Sequence, residues 1–186
     1  MKTLLASALI AAVALSGCAS SEKARAAREG NPAPCPNILV LSEASRFVEF
    51  DGDESIDNVA YTGEMVDVTS NCRYFSDEPI EAGVSIDLAF GRGPKGAEAQ
   101  KVFTYFVAVT RKDTEVIEKK EFQVPIKFSE DKPIEVIRVD IDKVHIPRAG
   151  ENISGSNFEI IVGFSVTPQQ AIYNRSGKSL KFPNLK

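Results

Sequence analysis

The chain has 186 residues, 26 acidic against 22 basic side chains, a net charge of −4, one histidine, three cysteines and no tryptophan. That length suits one domain with a sizeable core. The acidic balance and the lack of a basic cluster argue against nucleic-acid binding, which needs a Lys/Arg surface to neutralise phosphates.

The first predicted element is a leader. Lys2 supplies a short positive region and Leu4 to Leu15 an apolar run rich in Ala and Leu. About 20 apolar residues are needed to cross a ~30 Å hydrocarbon core, so the run reads as the hydrophobic part of a secretory signal peptide. No later stretch is long and apolar enough to span a bilayer. Leu15-Ser16-Gly17-Cys18 has the small-residue pattern of a lipobox. In these residues the N-terminus resembles bacterial lipoprotein precursors. The resemblance implies cleavage after Gly17 and acyl chains such as palmitate on the sulfur and amino group of Cys18. The other reading is an ordinary signal peptide cut near Ala19 or Ser20, which discards Cys18. Several acyl chains at ~0.8 kcal/mol per buried CH₂ hold a protein on a membrane almost permanently. Ala19 stands where an Asp would retain such a lipoprotein at the inner membrane, so the resemblance implies the outer membrane, facing the periplasm.

The chain then divides into a signal peptide (1–17), a flexible tether (18–34) and a single domain (35–186). Gly30-Asn31-Pro32-Ala33-Pro34 closes a tether without apolar periodicity, whose reach is ~20–25 Å. Cys35 and Cys72 are the remaining cysteines, and in an oxidising envelope one pair most simply forms a disulfide.

From Ile38 the pattern turns to Val-, Ile- and Phe-rich runs broken by Gly, Pro and Asp, the signals of strands and turns. Ile38–Leu41 and Phe47–Phe50 read together as a first strand region, and Asp51-Gly52-Asp53 as a turn. Val59–Tyr74 is two strands or one bulged strand with its irregularity at Gly63; Val66, Val68 and Cys72 share the inward face. Val84, Ile86, Leu88 and Phe90 alternate with Ser85, Asp87 and Ala89, a half-buried strand. Gly91 to Gly96 reads as a loop. Val102–Val109 is apolar on both faces, as in a central strand. Val116–Phe128 places Val116, Phe122, Val124, Ile126 and Phe128 on one face and Glu115, Ile117, Lys119, Glu121, Gln123 and Lys127 on the other, and Pro125 sends that strand to an edge. Ile137, Val139 and Ile141 oppose Arg138, Asp140 and Asp142. Phe158 to Val166 is the last strand. Thr167-Pro168-Gln169-Gln170 is a capping box with Pro at the first helical position, predicting a short helix to about Asn174 stopped by Gly177. These elements predict an all-β fold: an antiparallel β-sandwich of immunoglobulin or fibronectin type III architecture, with about seven strands and a short C-terminal helix.

The candidates for chemistry are sparse. His145, the only histidine, has no second histidine or free cysteine beside which to build a metal site or triad, and reads as a strand-end residue. Asp51, Asp53, Ser55 and Asp57 are spaced like calcium ligands, yet Ile56 and Thr62 stand where an EF-hand wants Gly and Glu. Gly91 to Gly96 fails the spacing of a phosphate-binding loop. The sequons at Asn152 and Asn174 carry little meaning in a bacterial lipoprotein. No cofactor, metal or catalytic constellation is expected, and the chain is read as a non-enzyme.

Taken whole, the lipobox, Cys35-Pro36, Cys72, Gly91-Arg92-Gly93-Pro94 and Val162-Gly163-Phe164 before Thr167 resemble small bacterial envelope lipoproteins. The expected role is a lipid-anchored binding or scaffolding module whose partner is another envelope protein or peptidoglycan. It would act through the loop of Gly91, Arg92, Gly93 and Lys95 or the edge at Lys119 to Lys127. The alternative is an envelope hydrolase or carbohydrate binder, with carboxylates or stacked Tyr61, Tyr74 and Tyr105 in a cleft between loops.

Overall fold

A computed structural model describes residues 34–74, 77–112 and 114–182. The lipobox and most of the tether, Cys18 included, lie outside these residues. Two four-stranded sheets pack as a sandwich, with one short C-terminal helix. The strands are β1 (Asn37–Val40), β2 (Arg46–Phe50), β3 (Val59–Arg73), β4 (Ile80–Arg92), β5 (Gln100–Arg111), β6 (Glu115–Lys127), β7 (Ile134–Ile146) and β8 (Phe158–Phe164). One sheet runs β1-β8-β5-β6 and the other β2-β3-β4-β7.

The strand count and one pairing direction depart from the sequence reading. The first strand region is two strands in different sheets, joined by a 3-10 turn at Ser42–Ala44, so the described residues form eight strands where about seven were expected. β1 also pairs parallel with β8, so its sheet is mixed and only the other is fully antiparallel. A strand of four residues leaves little periodicity by which to separate it from the next run.

The clean alternations behave as physics requires. Val84, Ile86, Leu88 and Phe90 are buried, as are Phe158, Ile160, Val162 and Phe164. Phe90 of one sheet stacks on Phe103 of the other at 4.6 Å between ring centroids. Phe47 meets Phe103 at 5.3 Å and Phe164 edge-on at 5.0 Å, so four aromatic rings join the layers. Each such pair contributes roughly 0.5–1.5 kcal/mol beyond its area. β5 is internal, and its two faces divide: Phe103, Tyr105, Val107 and Val109 enter the main core, while Phe106 and Ala108 pack with Ala44 on the outer side.

Bulges decide where parity is kept. In β3 the extra residue is Val66, between Met65 opposite Leu88 and Asp67 opposite Asp87, in place of the irregularity expected at Gly63. Gly63 is needed for a different reason: a Cβ there would lie 2.1 Å from Phe47 Cε1. After the bulge Val68 and Cys72 pack against the core. In β6 a register shift at Ile117 turns Val116 outward, where 64% of it is exposed, and brings Ile117 against the core, reversing the expected placement of both. β6 does end its sheet, with Pro125 opposite Val102.

The helix α1 (Pro168–Arg175) starts at the predicted capping box: Thr167 Oγ1 accepts from Gln170 N–H, and Gln170 Oε1 accepts from Thr167 N–H. None of its residues is buried. Polar contacts tie it to the sandwich instead. Asn174 Nδ2 donates to the carbonyls of Glu43 (2.8 Å) and Arg46 (2.6 Å), and Gln170 Nε2 donates to that of Val48. The Asn174 side chain therefore serves packing. Among the described residues no helix is long and apolar enough to cross a membrane.

Candidate functional site

At Pro34 and Cys35, just before β1, the chain is clamped. Cys35 and Cys72 form a disulfide with their Cα atoms 5.7 Å apart, joining the residue two before β1 to the end of β3. The buried Tyr74 hydroxyl donates to the Pro34 carbonyl and accepts from the Gly155 N–H. The Arg148 guanidinium lies 4.4 Å from the centre of the Tyr74 ring and donates to the carbonyls of Glu78 and Ile153. Gly155 is required here, because a Cβ would sit 2.3 Å from the Pro34 oxygen. This arrangement fixes Pro34 and Cys35 to the end of β3 and to the Gly155 turn by one covalent bond and two hydrogen bonds.

The predicted loop is smaller than expected. Gly91 and Arg92 continue β4 opposite Thr62 and Tyr61, and the turn begins at Gly93. Gly93 N–H donates to Ala60 and Lys95 N–H to Val59. A Cβ on Gly93 would meet the Val59 oxygen at 2.3 Å. Gly91 lies buried under the Phe182 ring. The glycines thus serve close packing, and Pro94 and Lys95 are what the turn presents to solvent.

The sandwich is open on one flank, where β6 and β7 end their respective sheets. Between them lies a cavity of about 200 Å³, lined by Val107, Val109, Phe122, Ile141 and Val144, with Glu118, Lys120, Lys143 and His145 around it. The floor is apolar because it is made by inward-facing side chains of β5, β6 and β7, and among the described residues no further strand covers them. The charges are mutually paired: Lys120 with Glu118 at 2.9 Å, and Lys143 with Glu81. Lys143, then Arg73, hold the Glu81 carboxyl below the usual carboxylate range. His145 is exposed, one residue from the end of β7 and opposite Glu81.

On the outer face of the β2-β3-β4-β7 sheet, Arg138 Nε and Nη2 donate to the two oxygens of Asp87 at 2.6 and 2.7 Å. This holds the Asp87 carboxyl below its usual range and raises the guanidinium, with Asp140 and Asp67 adding to the field. Asp67 sits directly opposite Asp87, so Arg138 offsets a like-charge cross-strand pair. On β6, Lys119 and Ser165 lower Glu121.

The tyrosines proposed for stacking are core residues. Tyr61, Tyr74 and Tyr105 are each 4–5% exposed. The Tyr61 hydroxyl closes a pair of bonds with the Glu98 backbone, and Tyr105 stacks on Phe122 with burial raising its pKa. They present no ring face to a sugar. Asp51 to Asp57 form an exposed turn in which Gly52 takes a positive φ of 115° and Asn58 Nδ2 donates to the Asp53 carbonyl. Among the described residues no three His, Cys, Asp or Glu side chains gather as metal ligands would. What the sequence did not signal is the open flank, since it arises from which strands end each sheet.

No protein-family model matches the chain, and comparison with curated proteins finds no significant match.

Proposed function

We propose that the chain is a lipid-anchored cell-envelope lipoprotein that acts as a non-enzymatic binding or scaffolding module. Cys18 carries the acyl chains, the outer membrane holds them, and the sandwich faces the periplasm at the end of its tether. The observation that carries this reading is the clamp at Pro34, Cys35, Cys72 and Tyr74, immediately after the lipobox and tether. A domain held by its N-terminus under load needs its first strand fixed there, and a four-residue β1 has few hydrogen bonds with which to resist a pull.

Its architecture is immunoglobulin-like in how the layers interleave: β4 lies beside β7 in one sheet, and β5 beside β8 in the other. A disulfide that joins the residue two before β1 to the end of β3, and the lack of a tryptophan to pack on it, set it apart from antibody domains. Partner contact falls to the β6 edge at Lys119 to Lys127 and the Pro94-Lys95 turn, and the partner is another envelope protein or peptidoglycan. Palmitate labelling in cells tests the anchor: wild type should incorporate the label, and Cys18→Ala should lose both label and membrane association. Equal membrane association of the two forms would overturn the proposal.

A further inference from the structure

Two long strands end their sheets on the open flank, and they are built differently. β6 and β7 have 13 residues each, against four and five for the other edges, β1 and β2. A long, unpaired edge is a template for another strand unless it is guarded. β6 is guarded three times over: Pro125 interrupts its donors, a bulge sits at Ile117, and Glu118 and Lys120 project on the groove side. β7 has no proline, and its register with β4 runs unbroken from Ile134 to Ile141, before Asp142 and Lys143 bulge opposite Gly83. Along that stretch Ile137, Val139 and Ile141 face the core yet remain half-buried, because among the described residues no strand lies beyond β7.

We infer that β7 pairs antiparallel with β7 of a second copy of this chain, about a two-fold axis through Val139. The charge pattern selects both the occupant and the register. With the axis at Val139, Ile137 faces the partner's Ile141, Val139 faces its counterpart, and Arg138 faces the partner's Asp140, twice over by symmetry. Moving the axis one residue either way opposes two arginines at 138 or two aspartates at 140. Opposite charges directly across a ladder stabilise it and like charges destabilise it. Within the chain Asp87 takes up Arg138 Nε and Nη2 and the Ser85 hydroxyl one oxygen of Asp140, so the contact across the axis falls to Arg138 Nη1 and the second Asp140 oxygen. The two four-stranded sheets become one of eight strands, and the partner's Ile137, Val139 and Ile141 cover the apolar flank. Association through β7 leaves β6 and the Pro94-Lys95 turn available, and it does not depend on the lipid.

The test is the solution mass of the full chain in detergent by light scattering, together with cysteine crosslinking. Wild type should have twice the one-chain protein mass. Val139→Cys should give a reductant-sensitive two-chain band, since its counterpart lies directly opposite. Val136→Cys, which falls opposite the partner's Asp142, should not. Asp140→Arg should weaken association about tenfold or more, because it sets arginines against arginines. Ser85→Ala, which only removes the support of Asp140, should keep the two-chain mass. A one-chain mass for wild type at the highest soluble concentration, or equal crosslinking at positions 136 and 139, overturns the inference. Neither result bears on whether Cys18 is acylated.

Discussion

The Cys35–Cys72 bond is the feature whose removal the structure makes most quantitative. It closes a segment with a sequence separation of 37. In the chain-entropy account a loop of that size restricts the unfolded state by about 4 kcal/mol at 25 °C, an upper figure when unfolded chains keep residual structure. For a domain of this size 1 kcal/mol moves the midpoint by roughly 2–4 °C, so Cys35→Ser/Cys72→Ser should melt about 8–16 °C lower. The loss should also be local. β1 has four residues, and its pairing with β8 is the short parallel ladder from Asn37–Glu159 to Val40–Val162. Without the bond, amides of β1 should exchange before those of β3 and β4. The assay is thermal unfolding by circular dichroism with and without reductant, followed by hydrogen exchange of the double variant. A midpoint change below about 2 °C, with β1 still protected, would refute the reasoning. It would mean that the Tyr74 bonds alone hold the N-terminal strand.

Three further outcomes follow from the packing and charge. Gly63→Ala places a methyl 2.1 Å from the Phe47 ring, which is itself wedged against Phe103 and Phe164; the cost should approach ~3 kcal/mol in denaturant unfolding, and Phe47→Leu in the same chain should recover part of it. Asn174→Ala removes both bonds that dock α1 on Glu43 and Arg46 and should cost about 1–2 kcal/mol, with rapid amide exchange over Pro168–Arg175 and little change elsewhere. The lowered carboxyls of Asp87, Glu81 and Glu121 favour the folded state once they ionise. Their stabilisation is therefore complete above the unfolded values of ~4 and lost as pH falls through the lower folded ones. Melting midpoints should hold from neutral pH to about 5 and drop below ~4, with a shallower drop in Asp87→Asn.

How much of this was legible follows from the length of each signal. The strands at Val84–Phe90 and Phe158–Phe164 could be read residue by residue, because one buried face repeats every second position over seven residues. The capping box before α1 was equally local. The disulfide followed from cysteine count. What escaped were single-residue events inside runs of β-branched residues. The bulges at Val66 and Ile117 shift parity without any Gly or Pro to mark them. Gly63 and Gly91 suggested irregular backbone where the structure uses them to admit Phe47 and Phe182. Tyr61, Tyr74 and Tyr105 looked available for stacking because their burial depends on long-range neighbours: Glu98, Pro34 with Gly155, and Phe122. The open flank was out of reach for the same reason, as strand order is a tertiary property.

The most direct measurement is the mass of the N-terminal tryptic peptide, Cys18 to Lys23, from protein purified out of bacterial envelopes. The account predicts a peptide that begins at Cys18 and carries acyl chains on its sulfur and amino group. An unmodified terminus at Ala19, Ser20 or Ser21 would show that Cys18 is discarded with an ordinary signal peptide, and would contradict the anchored module at its root.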